Sequence, residues 1–137
     1  MLRVALLAAA ISAGGCADWS REMRVEETAY QVLSAVDTIQ TVQVTRRPDC
    51  YQESDPVTGF VIGNHPRASA VIAWGVARAG LHAFVTDWMQ REDAAPWAQR
   101  TWQALTIGYE ARDVGQNWSI GLHFGSPQVP SYAPCLK

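Results

Sequence analysis

His82 is the side chain in this sequence best suited to move a proton, and it lies four residues after Arg78 on a face with Trp74 and Val85. Positions three or four apart share a helix face, so Arg78 and His82 would project together. Two other polar lines interrupt apolar stretches. Asp37 and Gln40 lie three apart on a face with Leu33, while Gln103, Glu110 and Asn117 recur every seven residues with Thr106 nearby. If the three lines converge, His82 is the candidate general base or metal ligand, with Glu110 and Asp37 as its carboxylate partners. Histidine beside carboxylates is how proton transfer and metal binding are usually built. The competing reading is electrostatic: Arg78 pairs with Asp37 and Glu110, because a buried charge must be compensated. A third reading leaves some of these groups facing water. No nucleophile motif or phosphate loop accompanies them, which favours pairing over catalysis.

Other polar clusters carry less. The segment ESDPVTG, residues 53–59, reads as a turn, with Asp55-Pro56 and Gly59 supplying turn chemistry. Glu53, Asp55 and His65 offer oxygen and nitrogen donors, but their spacing matches no metal motif. His123, in GLHFG, reads as a surface or tail-packing residue. Neither CxxC nor a Cys/His metal spacing occurs, so the sequence predicts no metal and no cofactor. The net charge of −2 comes without a basic stripe, which argues against nucleic-acid binding.

The elements that must position these groups are helical. Val25, Ala29, Val32, Val36 and Ile39 form a one-sided apolar stripe of period 3.6, predicting a first helix over about 22–46, ended before Pro48. Glu26 and Glu27 near its start and Arg46 and Arg47 near its end suit the helix dipole. Residues 48–66, rich in Pro, Gly and Asp, read as a long loop. A second helix is expected over about 67–90 and a third over about 96–118, followed by a Pro-rich tail. The second carries small residues, among them Ala73, Ala77 and Gly80, and the third has Ala104, Gly108, Ala111 and Gly115. These two small faces are expected to meet as a tight antiparallel pair. The fold class is therefore all-α, a small bundle of three main helices.

The start of the chain carries an address. Arg3, an apolar run from Val4 to Ile11 and the small residues Ser12 to Gly15 make a secretory signal, too short to span a bilayer. Ala13-Gly14-Gly15-Cys16 resembles a bacterial lipobox. The resemblance covers residues 1 to about 17 and implies acylation of Cys16 as the first mature residue; ordinary signal cleavage near Gly15 is the alternative. It further implies a cell-envelope protein anchored in the membrane through that lipid, with Ala17 pointing to the periplasmic face of the outer membrane. Under the same resemblance, the N-x-S sequence at Asn117 is not a glycosylation acceptor. The domain plan is then a signal peptide over 1–15, a tether over 16–24 and one helical domain over 25–137. Acylation of Cys16 would leave Cys50 and Cys135 as an even pair, expected to form a disulfide in an oxidising compartment.

Three functional readings follow. The first is a lipid-anchored, non-enzymatic envelope protein that binds or supports a partner, with Trp88 and Trp97 forming a patch for lipid headgroups or protein. The second is a small exported enzyme using His82, Glu110 and Asp37. The third is an integral helical-hairpin membrane protein, since residues 68–85 approach spanning length. Arg78 and His82 inside that stretch are costly in lipid and favour the water-soluble bundle.

Overall fold

The computed structural model describes residues 19–46, 48 and 50–122. Cys16, His123, Cys135 and the expected Pro-rich tail lie outside the described residues. The described chain is all-α, with four helices and no strand. We number them α1 (Arg21–Val44), α2 (Pro56–Ile62), α3 (Ala68–Arg91) and α4 (Pro96–Ser119).

Each helix begins where the local chemistry allows. Ser20 caps α1, its hydroxyl accepting from the Met23 amide at 3.2 Å. Helix formation therefore starts inside the segment read as a tether, and Trp19 is already buried, its indole donating to Asp87 at 3.2 Å. Asp55 caps α2, accepting from the Thr58 amide at 2.7 Å, with Pro56 in the first turn. The loop expected over 48–66 thus contains a short helix that the same Asp55-Pro56 pair initiates. Gly63, at φ +84°, ends it in a conformation that L side chains rarely adopt. Between α3 and α4 the turn is tight, and the Gln99 amide donates back to the Ala94 carbonyl at 2.8 Å.

The three long helices run up, down and up. Trp19 on Asp87 and Glu22 near Arg100 bring the start of α1 to the end of α3 and the start of α4. At the other end, Asp37 meets Asn117, and the Gln40 amide donates to the Leu122 carbonyl at 2.8 Å. Helix α1 is the central element, packed against both α3 and α4.

This arrangement corrects the expected pairing of small faces. Ala73, Ala77, Ala104, Gly108, Ala111 and Gly115 point outward, and a Cβ added at Gly80, Gly108 or Gly115 would meet nothing within 4 Å. The backbones of α3 and α4 stay apart because α1 lies between them and long polar side chains bridge the gap. The close approach is elsewhere: a Cβ at Gly75 would collide with the Thr38 side chain of α1. Glycine suits that position because the Thr38 side chain of α1 packs directly on the α3 backbone.

The polarity is inverted relative to a water-soluble bundle. Val25, Val32 and Ile39 of the apolar stripe are exposed, whereas the opposite face of α1 buries Glu27, Ser34, Asp37, Gln40 and Thr41. His82, Thr86, Gln103, Glu110 and Asp113 complete a largely polar interior. The buried apolar side chains are few, with Tyr30, Met23, Val44 and Val71 among them.

Candidate functional site: a layered polar core

The interior is built in layers, each contributed by α1, α3 and α4. In the first, His82 lies between two oxygens: its Nδ1 is 2.9 Å from Glu27 Oε2 and its Nε2 is 2.8 Å from Thr106 Oγ1. The Thr106 hydroxyl donates to the Trp102 carbonyl at 2.8 Å, so its oxygen is free to accept from the ring. Tyr30 stacks on the imidazole at 3.5 Å between ring centroids, and Trp102 lies on the same ring at 5.1 Å. Gln31 donates to Glu27 at 2.7 Å and to the Ala79 carbonyl at 3.0 Å, which fixes the carboxylate. Toward the α3–α4 turn, Thr86 accepts from Gln103 at 3.1 Å and from the Trp102 indole at 3.3 Å.

One turn away along α3, Arg78 holds two carboxylates. Its Nη2 donates to Asp37 Oδ2 at 2.8 Å and its Nη1 lies 3.0 Å from Glu110 Oε1. Asn117 donates to the other Asp37 oxygen at 3.0 Å. Interhelical ion pairs of this kind tie α1, α3 and α4 at a single guanidinium. Two polar atoms of the layer, Arg78 Nε and Glu110 Oε2, have no hydrogen-bond partner.

The short helix α2 closes the far end. Asp55 accepts from Tyr109 of α4 as well as from Thr58, and the Trp74 indole of α3 donates to the Thr58 hydroxyl at 3.1 Å. Burial works to raise the Asp55 carboxyl, but the hydrogen bonds from Thr58 and Tyr109 outweigh it and hold the group below its ordinary value. Glu53 is pushed the other way by burial, despite accepting from the Asp55 amide at 2.9 Å. A cavity of about 10 Å³ separates Asp37, Glu53, Asp55 and Asp113, room for about one water.

The three sequence candidates are all in the core but do not form one constellation. Asp37 and Glu110 converge on Arg78, as the pairing reading expects, and His82 belongs to the neighbouring layer with Glu27. Asp37 and His82 are closed in by partners, with the Thr106 hydroxyl beside His82, whereas Glu110 keeps Oε2 without a hydrogen-bond partner. Glu53 joins the α2 cap, while His65 is exposed. Among the described residues, no group of three or more His, Cys, Asp or Glu side chains is placed to hold a metal ion. Sequence reasoning placed Gln103 on an inward polar line, as the structure does, but missed Glu27 and Asp113 as interior groups. Glu27 was absorbed as a helix-dipole charge, although Glu27, Ser34 and Thr41 repeat at seven and mark a polar face as regular as the apolar one.

No protein-family model matches this chain, and no curated protein or solved structure matches it.

Proposed function

We propose that this chain is an integral membrane protein, a three-helix bundle that encloses charged side chains and presents an apolar belt to lipid. One observation carries the reading: the exposed residues of all three long helices are free of charge over their middle stretches. On α3 these are Ile72, Ala73, Val76, Ala77, Leu81, Phe84 and Trp88. Helix α1 contributes Val25, Thr28, Val32, Ala35 and Ile39, and α4 adds Thr101, Ala104, Leu105, Gly108 and Ala111. Exposed charges flank the belt, with Arg21, Arg24, Arg91 and Arg100 at one rim and Arg46, Arg67 and Arg112 at the other. The α3 stretch from Ile72 to Trp88 rises about 24 Å at 1.5 Å per residue, close to the ~30 Å hydrocarbon layer. Exposed Trp88 and Trp97 lie at one rim, and Trp118 at the other, the level where amphipathic rings gather. Helix α3 is long and apolar enough to cross a membrane, and only 17% of its most apolar stretch is buried, which supports the reading. The cost of Arg78 and His82 in lipid is offset because both point inward onto carboxylates.

Spanning has a topological consequence. With α1 crossing the bilayer, Cys16 and Cys50 fall on opposite faces. Cys50 is disulfide-bonded, which supports an oxidising environment on its side. Helix α1, about 36 Å long, ends six residues before Cys50. A Cys50–Cys135 bond is thus part of the proposal. Acylation of Cys16 is not, because an exported lipobox and an exported Cys50 cannot flank one spanning helix.

The lipobox-like Ala13-Gly14-Gly15-Cys16 favours a second reading: a lipid-anchored chain whose belt is covered by a protein partner seated over Trp88 and Trp97. Alkaline carbonate extraction of membranes carrying Cys16→Ser separates the two. The integral reading expects the variant in the pellet, with an unacylated N-terminal segment by mass spectrometry in the wild type. Release of Cys16→Ser into the supernatant refutes it and favours the lipid anchor.

A further inference from the structure

Because the backbones of α3 and α4 stand apart, a cleft of about 310 Å³ opens between them, floored by Tyr30 and closed at one end by α2. That volume lies at the lower end of the range for small-molecule pockets. Its walls are apolar and aromatic, with Val57, Leu105 and Tyr109 at the mouth; Leu105 is 69% exposed. Its inner surface is charged, with Arg78, Asp55 and Glu110 lining it. Glu110 is only 2% exposed, and its Oε2 accepts no hydrogen bond while Oε1 is held by Arg78. A buried carboxylate oxygen without a donor costs free energy that a ligand's donor would recover. The guanidinium is shared between Asp37 and Glu110, so the charged groups lining the cleft, Asp55, Glu110 and Arg78, sum to a net negative charge once Glu110 is ionised, and burial pushes that carboxyl up to about 7.

We propose that this cleft binds a primary alkylammonium amphiphile, its ammonium donating to Glu110 and its chain lying along Leu105, Tyr109 and Val57. An anionic head would meet Asp55 and Glu110, and an uncharged one would leave the net negative charge uncompensated. In a bilayer the same chemistry is presented by an aminoethyl lipid headgroup, and in water by a free alkylamine. The inference deepens the membrane reading and relies on it for the lipid as source, while the cleft itself does not depend on it.

The test titrates the purified full chain, in an uncharged maltoside detergent, with n-octylammonium and with n-octanol by calorimetry. Octylammonium is expected to bind at least about tenfold more tightly than octanol, the worth of one charge-assisted hydrogen bond. Glu110→Gln should abolish that preference, and Leu105→Trp, a substitution at an exposed position that fills the mouth, should abolish binding. Equal affinity for the two probes, no binding of either, or octylammonium binding undiminished in Leu105→Trp overturns the proposal. Should Glu110→Gln fail to fold, the probe pair and Leu105→Trp still decide. A co-purifying aminoethyl lipid, released from wild type but not from Leu105→Trp on solvent extraction, assigns the lipid source; its absence alongside octylammonium binding assigns the free amine. If carbonate releases the protein from membranes, the same titration runs in buffer, so the two readings fail separately.

Discussion

Replacing Arg78 by methionine removes the one cation between Asp37 and Glu110 and leaves a side chain of similar length. In the native bundle that guanidinium lies 2.8 Å from one carboxylate and 3.0 Å from the other. Both partners are largely buried, with side-chain exposures of 11% and 2%. Removing one member of a buried ion pair costs about 3–5 kcal/mol, because the charge left behind has no compensation. Counting the two charge-assisted hydrogen bonds separately gives about 3–6 kcal/mol, in agreement. Burial already pushes the Glu110 carboxyl up to about 7 beside the guanidinium, so without Arg78 it takes up a proton and Asp37 is the charge left stranded. For a domain of this size 1 kcal/mol moves the melting temperature by about 4–8 °C, so Arg78→Met should melt at least about 12 °C lower. The informative comparison is the triple variant Arg78→Met/Asp37→Asn/Glu110→Gln, which has no charge to strand. Neutral replacement of a whole buried ionic group is often cost-free, so the triple variant should recover most of the lost stability. Thermal unfolding in detergent, followed by near-ultraviolet circular dichroism, measures both. An Arg78→Met protein within about 1 kcal/mol of wild type, or a triple variant no better than the single one, would refute the compensation argument.

Other outcomes follow from the same structure. Gly75→Ala should destabilise by about 1–3 kcal/mol, since its Cβ would collide with Thr38, while Gly108→Ala should be neutral or stabilising by up to about 1 kcal/mol through helix propensity. Equal melting temperatures for those two variants would show that α1 and α3 are not in close contact at Gly75. His82→Phe should strand Glu27 and cost about 3–5 kcal/mol, with His82→Phe/Glu27→Met recovering most of it in chemical denaturation. The lowered Asp55 carboxyl stabilises the fold at pH values above its ordinary 3.8, and that contribution is lost as pH falls through the lower folded value. Asp55→Asn should therefore flatten the acid end of the stability profile, and a profile superimposable on that of wild type would remove Asp55 from the account.

Much of the architecture was legible because helix ends are written in local chemistry. Pro48, Pro66 and Pro96, with the polar breaks around them, placed the three long helices within a residue or two of Arg21–Val44, Ala68–Arg91 and Pro96–Ser119. Arg78 with Asp37 and Glu110 was also readable as a pairing, since charges inside apolar helices need partners. Helix α2 escaped because seven residues are too few for periodicity to register, leaving only the Asp55-Pro56 cap as a signal. The small residues of α3 and α4 misled for a different reason. A small side chain permits close approach but does not compel it, and whether a backbone arrives depends on where the third helix lies.

The sequence by itself determined that α1 has an apolar face through Val25, Val32 and Ile39 and a polar face through Glu27, Ser34 and Asp37. Only the tertiary structure decided which face is inside. Periodicity of 3.6 identifies two sides of a cylinder and is silent about the medium around it. The choice was made by pairings 41 and 55 residues apart in the chain, Arg78 with Asp37 and His82 with Glu27. Those groups are costly to bury alone and stable when buried together, and no local pattern holds both halves of such a pair.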